Sequence, residues 1–204
     1  MILQNPLEAF SNPNADYPIL CILEKSDNPL TTTAIFKRCR DIPRISVHKS
    51  LIRMSEHGIV DQELLGNTYY YMLNRNHILF PIIKGLVHVT DNLIEIARKS
   101  LTGWQTAPKC VYLFGSAARK DMTVSSDLDL LFVLEDDETK KDLILDNIYE
   151  LCESLRKIIG NEINPVIFRP SEVKNTPLFR DILKEGVCIY GDRTLLKRRV
   201  ENGR

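Results

Sequence analysis

The stretch "FGSAARKDMTVSSDLDLLF", residues 114–132, decides how the second half of this chain is read. It holds a Gly-Ser turn and then two carboxylates, Asp127 and Asp129, two positions apart at the start of an apolar run. A period of two places both on one face of a strand, where two like charges call for a cation. A hard divalent metal such as Mg²⁺ takes oxygen ligands, and phosphates commonly complete its shell. Upstream, "LFGS" reads as a strand running into a helix, so the amides of Gly115, Ser116 and Ala117 and the Ser116 hydroxyl can hold an anion there. One half of the stretch suits phosphate; the other suits the metal that phosphate brings.

Around this stretch, from about residue 104, strands and helices alternate. "CVYLFG" and "LDLLFVLE" read as strands on either side of a short helix from Ser116. A helix follows from about Glu138 to 159, then the strand "INPVIF", the helix "TPLFRDILKEG" and a last strand "VCIYG". The alternation predicts an α/β or α+β domain.

The first 80 residues have another texture. A helical apolar pattern covers 14–26, and "TTTAIFKRCR" follows Pro29 with threonines able to cap a second helix. A third helix is expected from about 46 to 57, stopping at Gly58, with Val47, Leu51 and Met54 facing a core. "IVDQELL" and "TYYYML" flank Gly66-Asn67, a two-residue hairpin turn between short strands, along which Tyr69, Tyr70 and Tyr71 alternate between core and solvent. Pro81 opens one longer amphipathic helix ending near 103, suited to joining two domains or to dimerising.

Lys plus Arg equals Asp plus Glu at 27 each, so any attraction for a polyanion must be local. Residues 28–60 supply such a patch: Lys37, Arg38, Arg40, Arg44, Lys49 and Arg53 against Asp41 and Glu56. Ser46, His48, Lys49, Ser50 and Arg53 are expected to point away from the core, toward a major groove and its phosphates. The five cysteines lie far apart with no metal-binding spacing and no leader is read, so they are expected to be reduced, mostly buried thiols in a cytoplasm. No apolar run approaches the roughly 18 residues a membrane helix requires, and no membrane role is expected.

Two resemblances follow from these residues. Three helices and a hairpin, with "ISVHKSLIRMSEHGIV" as the recognition-helix segment, resemble the winged helix-turn-helix domains of prokaryotic transcription regulators. Gly115-Ser116, nine residues, then Ser126, Asp127, Leu128 and Asp129 between apolar strands resemble the minimal nucleotidyltransferase branch of the polymerase β superfamily. The resemblances imply residues 1–80 as a winged helix-turn-helix, 81–103 as a linker helix and 104–204 as a nucleotidyltransferase with a small mixed sheet and helices on one face. They imply Mg²⁺ on Asp127 and Asp129, a nucleoside triphosphate with its phosphates on Gly115 and Ser116, and Arg119 as a further phosphate contact. A third carboxylate is expected on the strand "NEINPVIF"; by pattern Asn164 stands in its place, with Glu162 one step earlier as the acid that can act there. Double-stranded DNA on the Arg44, Ser46, His48, Lys49 and Arg53 face is the second partner implied. A homodimer, or an antitoxin or toxin partner, is also compatible. The alternative to an enzyme is a non-catalytic transcription regulator whose second domain binds nucleotide.

Overall fold

The computed structural model describes residues 10–39, 41–136 and 141–202. The chain divides into two compact units, Met1–Thr90 and Asp91–Arg204.

In the first unit, helix α1 spans Pro13–Glu24. Asn12 N donates to Asp16 Oδ2 at 3.0 Å while Asn12 O accepts from the amides of Ala15 and Asp16, which closes the first turn. Strand β1 (Leu30–Thr31) leads into α2 (Thr32–Arg38), where Thr31 Oγ1 accepts from Ala34 N at 3.2 Å, the cap that the threonine run predicted. Helix α3 (Arg44–Glu56) starts directly after Pro43, two residues earlier than the apolar spacing suggested, and ends before Gly58 at φ +75. Strands β2 (Val60–Leu65) and β3 (Thr68–Leu73) pair antiparallel through the Gly66 turn, and β1 adds to β3, giving the order β1-β3-β2. Tyr69 is open, Tyr70 partly buried and Tyr71 buried, so the three tyrosines do not alternate as expected; burial rises along them from the Gly66 turn toward the core. Ile19, Leu23, Ile35, Val47, Leu51, Met54, Tyr71 and Leu73 form the core.

The single helix expected over 81–103 is two helices, α4 (Phe80–Val87) and α5 (Val89–Thr102). His88 leaves helical geometry at φ −101, ψ 20, and its Nε2 lies 3.1 Å from Glu24 Oε1. Ile83 of α4 is buried in the first core, and Ile94, Ala97 and Leu101 of α5 in the core of the second unit.

The second unit carries a four-stranded mixed sheet. Its strands are β4 (Cys110–Phe114), β5 (Leu128–Val133), β6 (Ile163–Phe168) and β7 (Val187–Gly191), in the order β6-β5-β4-β7. Strand β6 runs parallel to β5, and β4 runs antiparallel to both of its neighbours. Helix α6 (Gly115–Arg119) follows β4 directly, and α7 (Lys141–Ile159) precedes β6; Glu138, where α7 was expected to begin, lies outside the described residues. Helices α8 (Pro177–Glu185) and α9 (Leu195–Asn202) flank β7 in sequence.

Helices cover both faces of this sheet, which corrects the one-sided layer expected. Val111, Leu113, Leu128, Leu130 and Phe132 pack with α5 and α7 through Leu101, Ile148, Leu151 and Leu155. Cys110, Tyr112, Leu131 and Val133 pack with α8 and α9 through Phe179, Ile182, Leu196 and Val200. Strands with both faces buried read as continuous apolar runs, as β4 and β5 do. Among the described residues no helix is long and apolar enough to cross a membrane.

Candidate nucleotidyltransferase site

The sheet has one polar end. Phe114, the last residue of β4, pairs with Asp129 near the start of β5, and Asp129 pairs with Asn164 of β6. Asp129 shares its strand parity with Leu131 and Val133 and so projects on the α8–α9 face. Asp127 lies two positions earlier, just before the strand, and is exposed; Asp129 is partly buried.

Gly115 makes room for this carboxylate. Its φ is +68, and a Cβ placed there would run into Asp129 Oδ2. Glycine is required on both counts, for the left-handed backbone and for the close approach. The other oxygen, Asp129 Oδ1, accepts from Asn164 Nδ2 at 2.9 Å. The amide therefore holds the carboxylate without adding charge.

Asp127 is approached through a stapled loop. Ser126 Oγ accepts from Thr123 N at 2.9 Å and lies 3.0 Å from Thr123 Oγ1, while Asn161 Nδ2 donates to Ser126 O at 3.0 Å. The residue before Asp127 is thus tied at both its side chain and its carbonyl. Asn161 was not foreseen from the sequence; its position just after Gly160, at φ +79, is the only local sign of it.

Arg119 is exposed and its Nε donates to Asp121 Oδ2 at 3.1 Å. Its pKa is raised first by that hydrogen bond and by the charge of Asp121, with Glu185 and Asp129 contributing less. The guanidinium sits within the field of Asp129 while bonded elsewhere. Glu162 is not brought to Asp129. Its carbonyl accepts from Leu128 N at 2.8 Å, but its exposed carboxylate lies 4.0 Å from Arg156 Nη1 on α7.

No cluster of three or more His, Cys, Asp or Glu positioned for a metal occurs among the described residues. The donor set at the sheet end is two carboxylates and no nitrogen or sulfur. Such a set fits a hard divalent cation that takes its remaining ligands from water and phosphate.

Residues 92–194 match the family described as "Polymerase beta, Nucleotidyltransferase". The chain belongs to this nucleotidyltransferase family. The match begins within α5 and takes in the whole polar sheet end, α8 and β7. Among solved structures, "Crystal structure of the toxin-antitoxin with AMP-PNP" is similar at 17% identity and a TM-score of 0.36, over 55% of this chain and 82% of that one. A mutant of the toxin-antitoxin MntA-HpeT is similar at 14% identity and a TM-score of 0.34, over 55% of this chain and 80% of that one. No curated protein matches.

Outside the nucleotidyltransferase match, α3 sorts its side chains differently from the expectation. Arg44, His48 and Lys49 are exposed, and Ser46 is partly so. Arg44 Nη2 donates to Thr33 Oγ1 at 3.4 Å. Arg53 instead forms an ion pair with Asp16, which is 1% exposed, and Ser50 is completely buried beside it. Ser50 shares the helix face of Val47, Leu51 and Met54 by i, i+3 and i+4 spacing, and Arg53 reaches α1 from one turn further on. Both are corrections to the outward strip; Arg40 lies outside the described residues. Ile45 and Ile52 stand open in that strip instead. The hairpin adds exposed Asp61 and Glu63, with no Lys or Arg between 58 and 74.

Proposed function

We propose that this protein binds a nucleoside triphosphate with a divalent cation at Asp127 and Asp129 and transfers the nucleoside monophosphate to a hydroxyl-bearing acceptor, breaking the bond between the α- and β-phosphates and releasing pyrophosphate. The observation that carries the reading is the Asp129 carboxylate seated against bare Gly115, with Asp127 two residues earlier and, among the described residues, no basic side chain bonded to Asp129. Two carboxylates so close in sequence, neither bonded to a basic side chain among the described residues, are suited to a cation from outside. A divalent cation such as Mg²⁺ would neutralise triphosphate charge and polarise the reacting phosphorus.

The residues divide the remaining work. Asp127 and Asp129 hold the cation, and the loop bonds of Ser126 and Asn161 keep Asp127 in position. The amides of Gly115 and Ser116 and the Ser116 hydroxyl take phosphate oxygens at the turn after β4. Arg119 supplies positive charge at the exposed side of the site. Asn164 fixes the Asp129 carboxylate through its amide and, being neutral, adds nothing to the attraction for a second cation. Glu162 becomes the acid at the acceptor only by leaving Arg156.

Asn164 favours a second reading, in which the site binds nucleotide without turning it over. In that reading the first unit, as a winged helix-turn-helix, carries the output by binding DNA through Arg44, Ser46, His48 and Lys49. An α-labelled triphosphate, Mg²⁺ and separate RNA, protein and small-molecule fractions distinguish the two. Label transfer by the wild type that disappears in Asp127→Ala supports the enzyme. Transfer seen only in Asn164→Asp, with nucleotide bound by both proteins, supports the binding reading. No Mg²⁺-dependent nucleotide binding by either protein contradicts both.

A further inference from the structure

Helix α8 ends on an acid. Negative charge is disfavoured at a helix C-terminus, yet the last residue of α8 is Glu185, which follows buried Phe179 and Ile182 along one face at i, i+3 spacing. Its side chain is 35% exposed, against 78% for Lys184 beside it, whose Nζ lies 3.6 Å from Glu185 Oε1. Gly186 fixes the turn that follows. Its amide donates to Ile182 O at 2.8 Å, and a Cβ there would stand 2.5 Å from the same oxygen. The chain therefore passes straight from α8 into β7.

The sheet carries Glu185 to the polar end. Val187 of β7 pairs with Leu113 of β4, and two further steps in that antiparallel register lead back to Glu185 and on to Gly115. Strands β5 and β7 flank β4, so Gly115 has Asp129 on one side and the end of α8 on the other. Helix α6 packs against α8, which brings its last residue, Arg119, into the same neighbourhood. The Arg119 Nε donates to Asp121, and its two terminal nitrogens bond nothing among the described residues. After Asp121, the negative charge that most favours the charged form of Arg119 is Glu185, ahead of Asp129.

We infer, on the nucleotide site proposed above, that Glu185 is a positioning residue for Arg119. With Asp121 on Nε, the Glu185 carboxylate draws the guanidinium from the α8 side and holds its remaining donors toward the phosphates taken at Gly115 and Ser116. A guanidinium presents five donors in one plane, so two acids can orient it while nitrogens are left for phosphate. An exposed arginine left to itself samples many rotamers, and ordering it before the ligand arrives raises affinity. An acid at the end of α8, otherwise at odds with the helix dipole, gains a role in this way.

Titration calorimetry of each common ribonucleoside triphosphate with Mg²⁺ into the full chain tests this. Glu185→Gln, which keeps the shape and removes the charge, is expected to weaken binding about tenfold while urea unfolding stays as in the wild type. Glu185→Asp, which keeps the charge, recovers part of that loss. The double variant Glu185→Gln, Arg119→Gln binds no more weakly than Arg119→Gln alone, because the acid acts through the arginine. Binding by Glu185→Gln equal to the wild type overturns the inference, and tighter binding does so too, since the acid then only repels the triphosphate. Full additivity in the double variant overturns it as well. A wild type that binds no triphosphate with Mg²⁺ contradicts the nucleotide site itself, and the role of Glu185 falls with it.

Discussion

Asp16 and Asp129 are carboxylates in the two units, and the protein treats them in opposite ways. Asp16 is almost fully buried and brings its own cation, Arg53, as well as capping the start of α1. Asp129 is partly open and is bonded by a neutral amide, with a glycine shaved back to admit it. A carboxylate that holds a fold together has its charge balanced within the fold. On the proposed reading, one kept for a ligand has its position fixed and its charge left over.

The strongest test of this contrast is removal of Asp16. In Asp16→Ala the largely buried Arg53 guanidinium loses the Asp16 carboxylate, and the expected cost is about 3 kcal/mol of unfolding free energy in urea titration. The double variant Asp16→Leu, Arg53→Met, which removes both charges and keeps apolar volume, should recover most of it. A cost below about 1 kcal/mol would make Asp16–Arg53 no better than a surface pair and erase the contrast.

Gly115→Ala sharpens it from the other side. The left-handed backbone alone costs roughly 1–2 kcal/mol, and the new methyl displaces the Asp129 carboxylate. Nucleotide affinity should therefore fall well beyond what the stability loss explains, as read by titration calorimetry at a temperature where the variant is folded. Unchanged affinity would separate Gly115 from the site.

A third kind of buried group extends the comparison, because Cys110 has neither partner nor ligand. Burial pushes its thiol up to about 12 from 9.0, with the charges of Cys188 and Asp192 contributing less. The folded value lies above the unfolded one, so this contribution is complete below pH 9 and is lost as pH rises toward 12. At pH 10 the loss is about 1 kcal/mol, and Cys110→Ala should show a correspondingly shallower fall between pH 8 and 10. Identical slopes would place the alkaline loss elsewhere.

The smallest expected effect is the most telling. Asp129→Asn removes a charge that no basic side chain bonds among the described residues, so stability should change by no more than about 0.5 kcal/mol. A large destabilisation would return Asp129 to the class of Asp16.

The site was legible in sequence to the extent that it is local. Gly115 and Ser116 follow their strand directly, Asp127 and Asp129 share a strand parity, and Asn164 falls at the expected rung because β6 pairs in register with β5. The polar side chains that α3 turns inward were not legible. Ser50 and Arg53 lie at positions that polarity alone assigns to solvent, and their placement depends on Asp16, more than thirty residues earlier on another helix. Charge at long range decided where Arg53 points, and no local spacing records that. The break at His88 was hidden for a similar reason, since the apolar pattern runs on through it while its imidazole turns to Glu24. Helices on the second sheet face were missed although "TPLFRDILKEG" was read as a helix, because a helix pattern does not say which face it covers.

Titration calorimetry of Mg²⁺ with a nucleoside triphosphate into the full chain and into the Asp127→Ala, Asp129→Ala double variant tests the central claim most directly. The predicted result is Mg²⁺-dependent binding by the wild type and its loss in a variant that unfolds in urea like the wild type. Undiminished Mg²⁺-dependent binding by that variant would contradict the assignment of these two carboxylates as the site.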